Sequence, residues 1–400
     1  MVVKVRFCRL LFSVRAVMWA WATLLTVAVF VASPVQAQKP TAEHLEEPGW
    51  WPRKASQSAE EYAGTRACRS CHKEITAEQE NTPMARTLLR AEDSAVLRSH
   101  RQLRFQSGNF LYRMGIKGGK PELSVTDGRD TITASLQWAF GTGEVGQSYL
   151  FQRKESYFES RVSYFGSLEN LNVTPLKVFR PLYDLEDAIA RPVQMDEIKR
   201  CFSCHSTGST IGGTFEPDKV ATGIGCEACH GPGGEHVNVM QASVIQEGAG
   251  GEHAPVVIFN PGKLMPADSV DFCGACHGTW PDTVRAGLNG LFSIRQQPYR
   301  LQNSKCWGKG QGDARITCVA CHDPHGALVQ EPSFYDAKCL NCHVATPGVK
   351  PAGDHPGAWC PVGRRDCVRC HMPKIEIPVM HRAFADHQIR IVRPGQPLPN

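Results

Sequence analysis

Seven stretches of this chain place two cysteines three positions apart with a histidine directly after the second. They are Cys68, Cys71 and His72; Cys201, Cys204 and His205; Cys226, Cys229 and His230; and Cys273, Cys276 and His277. The rest are Cys318, Cys321 and His322; Cys339, Cys342 and His343; and Cys367, Cys370 and His371. With 17 Cys and 15 His in 400 residues, random placement gives roughly 0.03 such patterns. Two thiols one helical turn apart can each form a thioether with the two vinyl-derived carbons on one edge of a porphyrin. The next residue then lies under the iron, where neutral imidazole is a good axial ligand. The pattern predicts seven c-type haems, attached through the fourteen cysteines and ligated by the seven histidines. Each motif needs a short helical turn that presents both thiols and the imidazole to one side.

Two other chemistries use paired cysteines. Zinc takes C-x-x-C pairs, but its sites do not need a histidine right after the second cysteine. Disulfides within C-x-x-C are redox-active rather than structural. Haem accounts for all seven histidines. Six of the seven motifs fall between Cys201 and His371. That stretch has little room for a conventional core, so the porphyrins must serve as one, as staples do in small scaffolds.

A six-coordinate iron needs a second axial ligand. Eight histidines lie outside the motifs: His44, His100, His236, His253, His325, His355, His381 and His387. A lone histidine is usually a surface or core residue, so local context must raise it. His236 sits in CHGPGGEH just past a motif, and His325 follows His322 across a Pro turn. His355 lies between the last two motifs. His381 and His387 share MHRAFADH and, six residues apart, face different haems. These five are the expected distal ligands. Met84, on an expected helix after the first motif, is a sixth candidate through its thioether. Met265 and Met372 are read as packing residues.

The net charge of +5 owes much to Lys4, Arg6, Arg9 and Arg15, which share the first 37 residues with no acid. Haem propionates would make the mature protein acidic. No basic stripe or nucleic-acid motif is present, so nucleic acid is excluded as a partner. The same 37 residues read as an export signal: a positive start, an apolar run from Ala16 to Ala32, and Val35-Gln36-Ala37 before the cleavage point. An uncleaved membrane anchor is the alternative.

Four segments follow. Residues 1–37 are the signal, 38–100 an N-terminal segment with the first haem, 101–196 a β-rich subdomain, and 197–400 a six-haem domain. The fold expected is α+β: short helices and irregular loops wrapped around haems, with a small antiparallel β insertion. Within it, Asp127-Gly128 marks one hairpin, and Arg153 to Ser156 separate two aromatic strands. Gly141, Gly143 and Gly146 spell a literal G-x-G-x-x-G, but it precedes a strand rather than a helix, so dinucleotide binding is rejected. Cys306 and Cys360 lie outside the motifs; a disulfide between them, a haem-contacting thiol and free thiols all remain open.

The motifs, together with ACRSCHKEITAEQENTPMAR, QSYLFQRKESYFESRVSYF, GIGCEACHGPGGEHV, ITCVACHDPHG, CVRCHMPK and HRAFADHQI, resemble exported bacterial multihaem cytochromes c of the cytochrome c-554-like and doubled-CxxCH kinds. The resemblance implies periplasmic electron transfer through closely stacked haems. It also favours His236, His325, His381, His387 and Met84 as ligands. Partners would be redox proteins, with a quinol-linked membrane complex as one candidate. Catalytic relatives in the wider group carry a departure at the active haem; pentahaem nitrite reductases have Lys in place of a motif histidine, whereas all seven here are His. The leading expectation is therefore an electron carrier. The rival is an oxidoreductase acting on a small nitrogen or sulfur compound at a five-coordinate haem.

Overall fold

The computed structural model describes residues 61–175, 181–209, 215–246 except 219, 258–307, 316–343 and 365–393, with 360, 363 and four positions after 394. The segment expected to be an export signal, His44, Trp50, Trp51, His253 and His355 lie outside the described residues. Among the described residues no helix is long and apolar enough to cross a membrane.

The architecture is mixed α and β. It opens with two short helices, α1 (Thr65–Cys71) and α2 (Lys73–Gln79), then strand β1 (Leu88–Arg90) and helix α3 (Ala95–Ser99). The expected helix through Met84 does not form. Helix α2 ends at Gln79, and residues 81–87 make turns. Pro83 disfavours helix at the residue before it. The Met84 carbonyl instead accepts from the Ile224 amide at 3.0 Å. Gly223, at φ 75°, permits this approach, because a Cβ there would collide with the Ala85 carbonyl.

Strands β2 (Leu103–Ser107), β3 (Phe110–Lys117), β4 (Lys120–Thr126) and β5 (Thr131–Ser135) form a four-stranded antiparallel meander. Its last turn is the Asp127-Gly128 hairpin, where the Asp127 carboxylate accepts from the amides of Arg129 and Asp130 at 2.8 and 2.9 Å. Strands β6 (Trp138–Phe140), β7 (Ser148–Arg153) and β8 (Ser156–Ser160) follow, with Arg153 opposite Ser156 as the sequence indicates. The glycine-rich segment is the turn between β6 and β7; Gly141, at φ 98°, sits close against the Gly146 carbonyl.

Strands β9 (Val162–Phe165) and β10 (Asn170–Val173) pair separately. Helix α4 (Leu185–Ile189) then leads to β11 (Ala190–Val193), which joins β8. The second sheet thus runs β1-β6-β7-β8-β11. It recruits β1 from outside the strand-rich run, a pairing across about fifty residues that local alternation cannot reveal.

Side-chain alternation gives the five-stranded sheet two buried faces. Ala139, Tyr149 and Phe151 point into a core shared with Tyr112, Met114, Leu123 and Val125 of the meander. Trp138, Leu150 and Tyr157 point the other way, into a second core with Ile198 and Phe202 of helix α5 (Met195–His205). Those two residues lie one turn apart on one helix face. Helix α5 ends in the second motif, so the β layer directly holds one haem-attachment site.

After α5 a two-stranded ladder, β12 (Ser206–Thr207) with β13 (Ala221–Thr222), leads to α6 (Cys226–His230) and α7 (Gly234–Gln246). Then come α8 (Pro266–His277), α9 (Trp280–Arg285), α10 (Gln297–Gln302), α11 (Pro332–Leu340) and α12 (Cys367–His371). A hairpin of β14 (Lys374–Ile377) and β15 (Arg382–Ala385) closes the chain.

Candidate haem centres

Five motifs end or fill a helix: α1, α5, α6, α8 and α12 contain both cysteines of their motifs. The fifth motif opens a single 3₁₀ turn, Cys318–Ala320, and the sixth straddles the end of α11. In each, a helical turn sets the thiols and imidazole on one side, as the chemistry requires.

Motifs come together through their first cysteines. The Cys68 and Cys226 side chains lie within hydrogen-bonding reach of each other, joining motifs one and three. Cys273 meets Cys318 in the same way, joining four and five, and Cys339 meets Cys367, joining six and seven. The second cysteines Cys71, Cys276, Cys342 and Cys370 are exposed. Further contacts link these pairs. Cys229 is in electrostatic reach of Cys273, and Cys321 of Cys339. The Cys204 thiol donates to the carbonyl of Ala275, inside the fourth motif, at 3.6 Å. All seven motifs therefore form one contiguous chain, with the second branching from the fourth.

Among the described residues, three motif histidines are seen to face a histidine from elsewhere. His72 and His236 have ring centroids 6.5 Å apart with planes 19° from parallel. His230 and His325 stand 6.1 Å apart at 8°. His322 and His387 stand 6.3 Å apart at 41°. Imidazoles in direct stacking contact would be much closer. A metal ion held between two ring nitrogens at about 2 Å each needs centroids about 6 Å apart. The spacing fits one iron between each pair of rings.

The tautomers agree. His205 Nδ1 contacts the Thr87 carbonyl at 3.2 Å and its hydroxyl at 2.7 Å. His230 Nδ1 lies 2.9 Å from the Phe259 carbonyl, His371 Nδ1 2.9 Å from that of Arg390, and His387 Nδ1 3.1 Å from that of Ala385. A carbonyl only accepts, so Nδ1 carries the proton and Nε2 keeps a lone pair for metal. Burial favours the neutral ring too. Desolvation lowers the pKa of His205, His230, His277 and His322, and pushes that of His387 down to about 4, with His322 adding to the effect. The Nδ1 atom of His236 is buried.

Other candidates are placed differently. His381, at φ 50°, packs edge-on against Phe165 at 4.8 Å. His100 bonds back to the Val96 carbonyl at 2.8 Å and packs on Tyr164. Met84 is half-buried in its turn, and the ring facing His72 is that of His236. Cys306 and Cys360 are free thiols rather than a disulfide; Cys306 neighbours Cys342 and Cys321 of the sixth and fifth motifs. Among the described residues no three His, Cys, Asp or Glu side chains converge on a cation site.

The second motif has an aromatic seat. Phe202 meets Trp138, Phe140 and Phe215 edge-on at 5.2, 5.4 and 5.0 Å, and Phe140 meets the His205 ring at 5.2 Å. Each such aromatic pair is worth about 0.5–1.5 kcal/mol beyond its buried area.

Several residues that hold these centres carry no sequence signal of their own. Glu227, buried inside the third motif, accepts from the amides of Ala63, Gly64 and Gly233 at 2.7, 2.9 and 2.8 Å. Asp336, buried on α11, accepts from the amides of Asp366 and Cys367 at 2.7 and 2.8 Å. Burial raises its carboxyl, but those two amides more than offset this and hold it below the usual range. Arg300 and Asp386 form an ion pair with both side chains fully buried.

The chain matches known proteins in the same terms. Residues 182–231 match the family model described as cytochrome c554 and c-prime, a span that contains the second and third motifs. A multihaem cytochrome, MtrA of Shewanella baltica (strain OS185), is 25% identical over 194 residues, 38% of this chain and 54% of that protein. This chain thus spans about half the length of that relative. Among solved structures, the outer cell wall cytochrome OcwA aligns over 82% of this chain and 80% of its own, with a TM-score of 0.46 and 14% identity. With the seven motifs, the sequence matches mark the chain as similar to multihaem cytochromes of the c type.

Proposed function

We propose that this chain is an exported, periplasmic electron carrier with seven covalent haems, which passes electrons between redox partner proteins. The observation that carries this reading is the contiguous run of motifs, in which three pairs meet through Cys68 and Cys226, Cys273 and Cys318, and Cys339 and Cys367. The fourteen motif cysteines would hold the haems, and the seven motif histidines would be their proximal ligands. His236, His325 and His387 would complete the coordination opposite His72, His230 and His322. His381 and His355 would serve other irons. When bound, haem supplies one-electron redox chemistry at iron.

The chain's own residues do the rest. Nδ1 bonds to backbone carbonyls fix the rings of His205, His230, His371 and His387 and keep Nε2 basic. Burial holds His205, His230 and His387 below the usual imidazole range, so acid would not compete with iron there near neutral pH. Where two imidazoles would hold one haem, its iron would supply electron transfer rather than substrate binding.

Intact mass of protein made with haem-maturation machinery, combined with electron paramagnetic resonance of the oxidised form, tests the reading. The expected result is a mass with seven haems and dominant low-spin signals. Fewer haems, or mainly high-spin iron, overturns it.

One observation favours the oxidoreductase reading. Arg295 is exposed at the surface, in electrostatic reach of both His205 and His277, beside Met380 and Phe384. A guanidinium there suits a small anion. Turnover of nitrite or hydroxylamine that Arg295→Gln abolishes would establish it.

A further inference from the structure

The Asp386 carboxylate is held by a complete fork. Arg300 donates Nε to Oδ1 and Nη2 to Oδ2, both at 2.8 Å. The remaining Arg300 nitrogen, Nη1, donates to the Pro399 carbonyl at 2.7 Å and to the Ser293 hydroxyl at 3.4 Å. Both side chains of the pair are fully buried. Removing one partner would strand the other's charge in a low-dielectric interior, so this pair has one geometry.

That geometry reaches two haem sites. His387, the next residue, faces His322 at 6.3 Å. On the other side, Asp386 also accepts from Nη1 of Arg390 at 2.5 Å and from the Gln388 amide at 3.0 Å. Arg390 bends back so that its amide meets the His371 carbonyl at 3.3 Å, while its own carbonyl faces His371 Nδ1 at 2.9 Å. The Asp386 amide donates to the Pro373 carbonyl, two residues past His371, at 3.0 Å. Residues 386–390 thus form a short strap between Arg300 and the seventh motif. The strap carries the ring opposite His322 and the carbonyl that orients His371.

We propose that Asp386, gripped by Arg300, is a positioning residue that sets the fifth and seventh haem sites together. It does so by fixing His387 against His322 and by aiming the Arg390 carbonyl at His371 Nδ1. This rests on the carrier reading for the presence of haem, but not on any assigned partner. The physical route is direct. A firmly placed carbonyl draws the Nδ1 proton and makes the imidazole a stronger donor, which favours ferric iron. A loosened strap weakens that bond at His371 and misaligns His387 at once.

The test compares fully haem-loaded Asp386→Asn and Arg390→Gln with wild type by redox titration and electron paramagnetic resonance. Asp386→Asn should move two low-spin signals and raise two midpoint potentials, leaving the other centres in place. Arg390→Gln, whose side chain is only partly buried, should move the His371 signal and leave the His387 signal alone. If Asp386→Asn does not accumulate, Arg390→Gln decides. Spectra and potentials unchanged in loaded variants, or one uniform drift of all centres, would overturn the proposal. Wild-type protein that takes up no haem would instead overturn the carrier reading.

Discussion

Oε2 of Glu227 lies 2.9 Å from the amide of Gly64, so a residue of the third motif anchors the chain just ahead of the first. Oε1 takes the Ala63 and Gly233 amides as well. The link spans 163 positions of sequence. Asp336 does the same for the last pair, taking the amides of Asp366 and Cys367 at the start of the seventh motif's helix. In both cases a buried carboxylate receives backbone donors that a helix start leaves unpaired, and it locks two motifs in register.

Glu227→Ala should therefore uncouple the first and third motifs. Three amides lose their acceptor, and each buried donor left unsatisfied costs about 1–3 kcal/mol. The expected outcome is a marked drop in unfolding temperature, with altered signals from the His72 and His230 centres only. Thermal unfolding and electron paramagnetic resonance check both halves.

Asp336→Asn should make the stability of the sixth and seventh motif pair insensitive to mild acid. The wild-type carboxyl has a lowered pKa, so its contribution is full above the unfolded value of about 4 and fades as pH falls below it. Unfolding of both proteins, followed from pH 6 down to about pH 3, should show the difference shrinking. A difference that stays constant would contradict this.

His236→Ala should open one iron. Carbon monoxide added to the reduced variant should shift about one-seventh of the Soret absorbance beyond the wild-type response, since each six-coordinate haem contributes alike. Met84→Leu should leave that response and the far-red charge-transfer region unchanged. A Met84→Leu variant that loses such a band would restore the thioether as a ligand.

Phe202→Ala should empty the aromatic seat under His205. Its ring meets Trp138, Phe140 and Phe215, and truncating a buried Phe costs about 3–5 kcal/mol. The loss should appear in chemical denaturation, with the second haem released or high-spin while the other centres stay low-spin.

The motifs and the β-rich run were legible because each depends on close spacing: thiols one turn apart, hairpins with two strands in sequence. Asp127-Gly128 and Arg153–Ser156 turn where local chemistry says they should. What the sequence did not show depends on distance along the chain. Strand β1 joins β6 only because the meander between them folds back and brings Leu88 opposite Phe140. The opposition of His236 to His72 bridges two motifs that are far apart in sequence, and proximity alone had pointed to Met84. The helix assumed there failed at Pro83. Glu227, Asp336 and Asp386 were hidden for a further reason: a surface acid and a buried one look identical in a string of letters.

The pairing of the first motif with the third imposes an order on how the molecule is made. A chain made from its N-terminus presents Cys68 long before Cys226 has emerged. The early segment must wait for its mate while everything between them is made. The strands and the second motif occupy that interval, so they can assemble before the first motif finds its partner. Local folding and the closure of the first pair are thus separated in time.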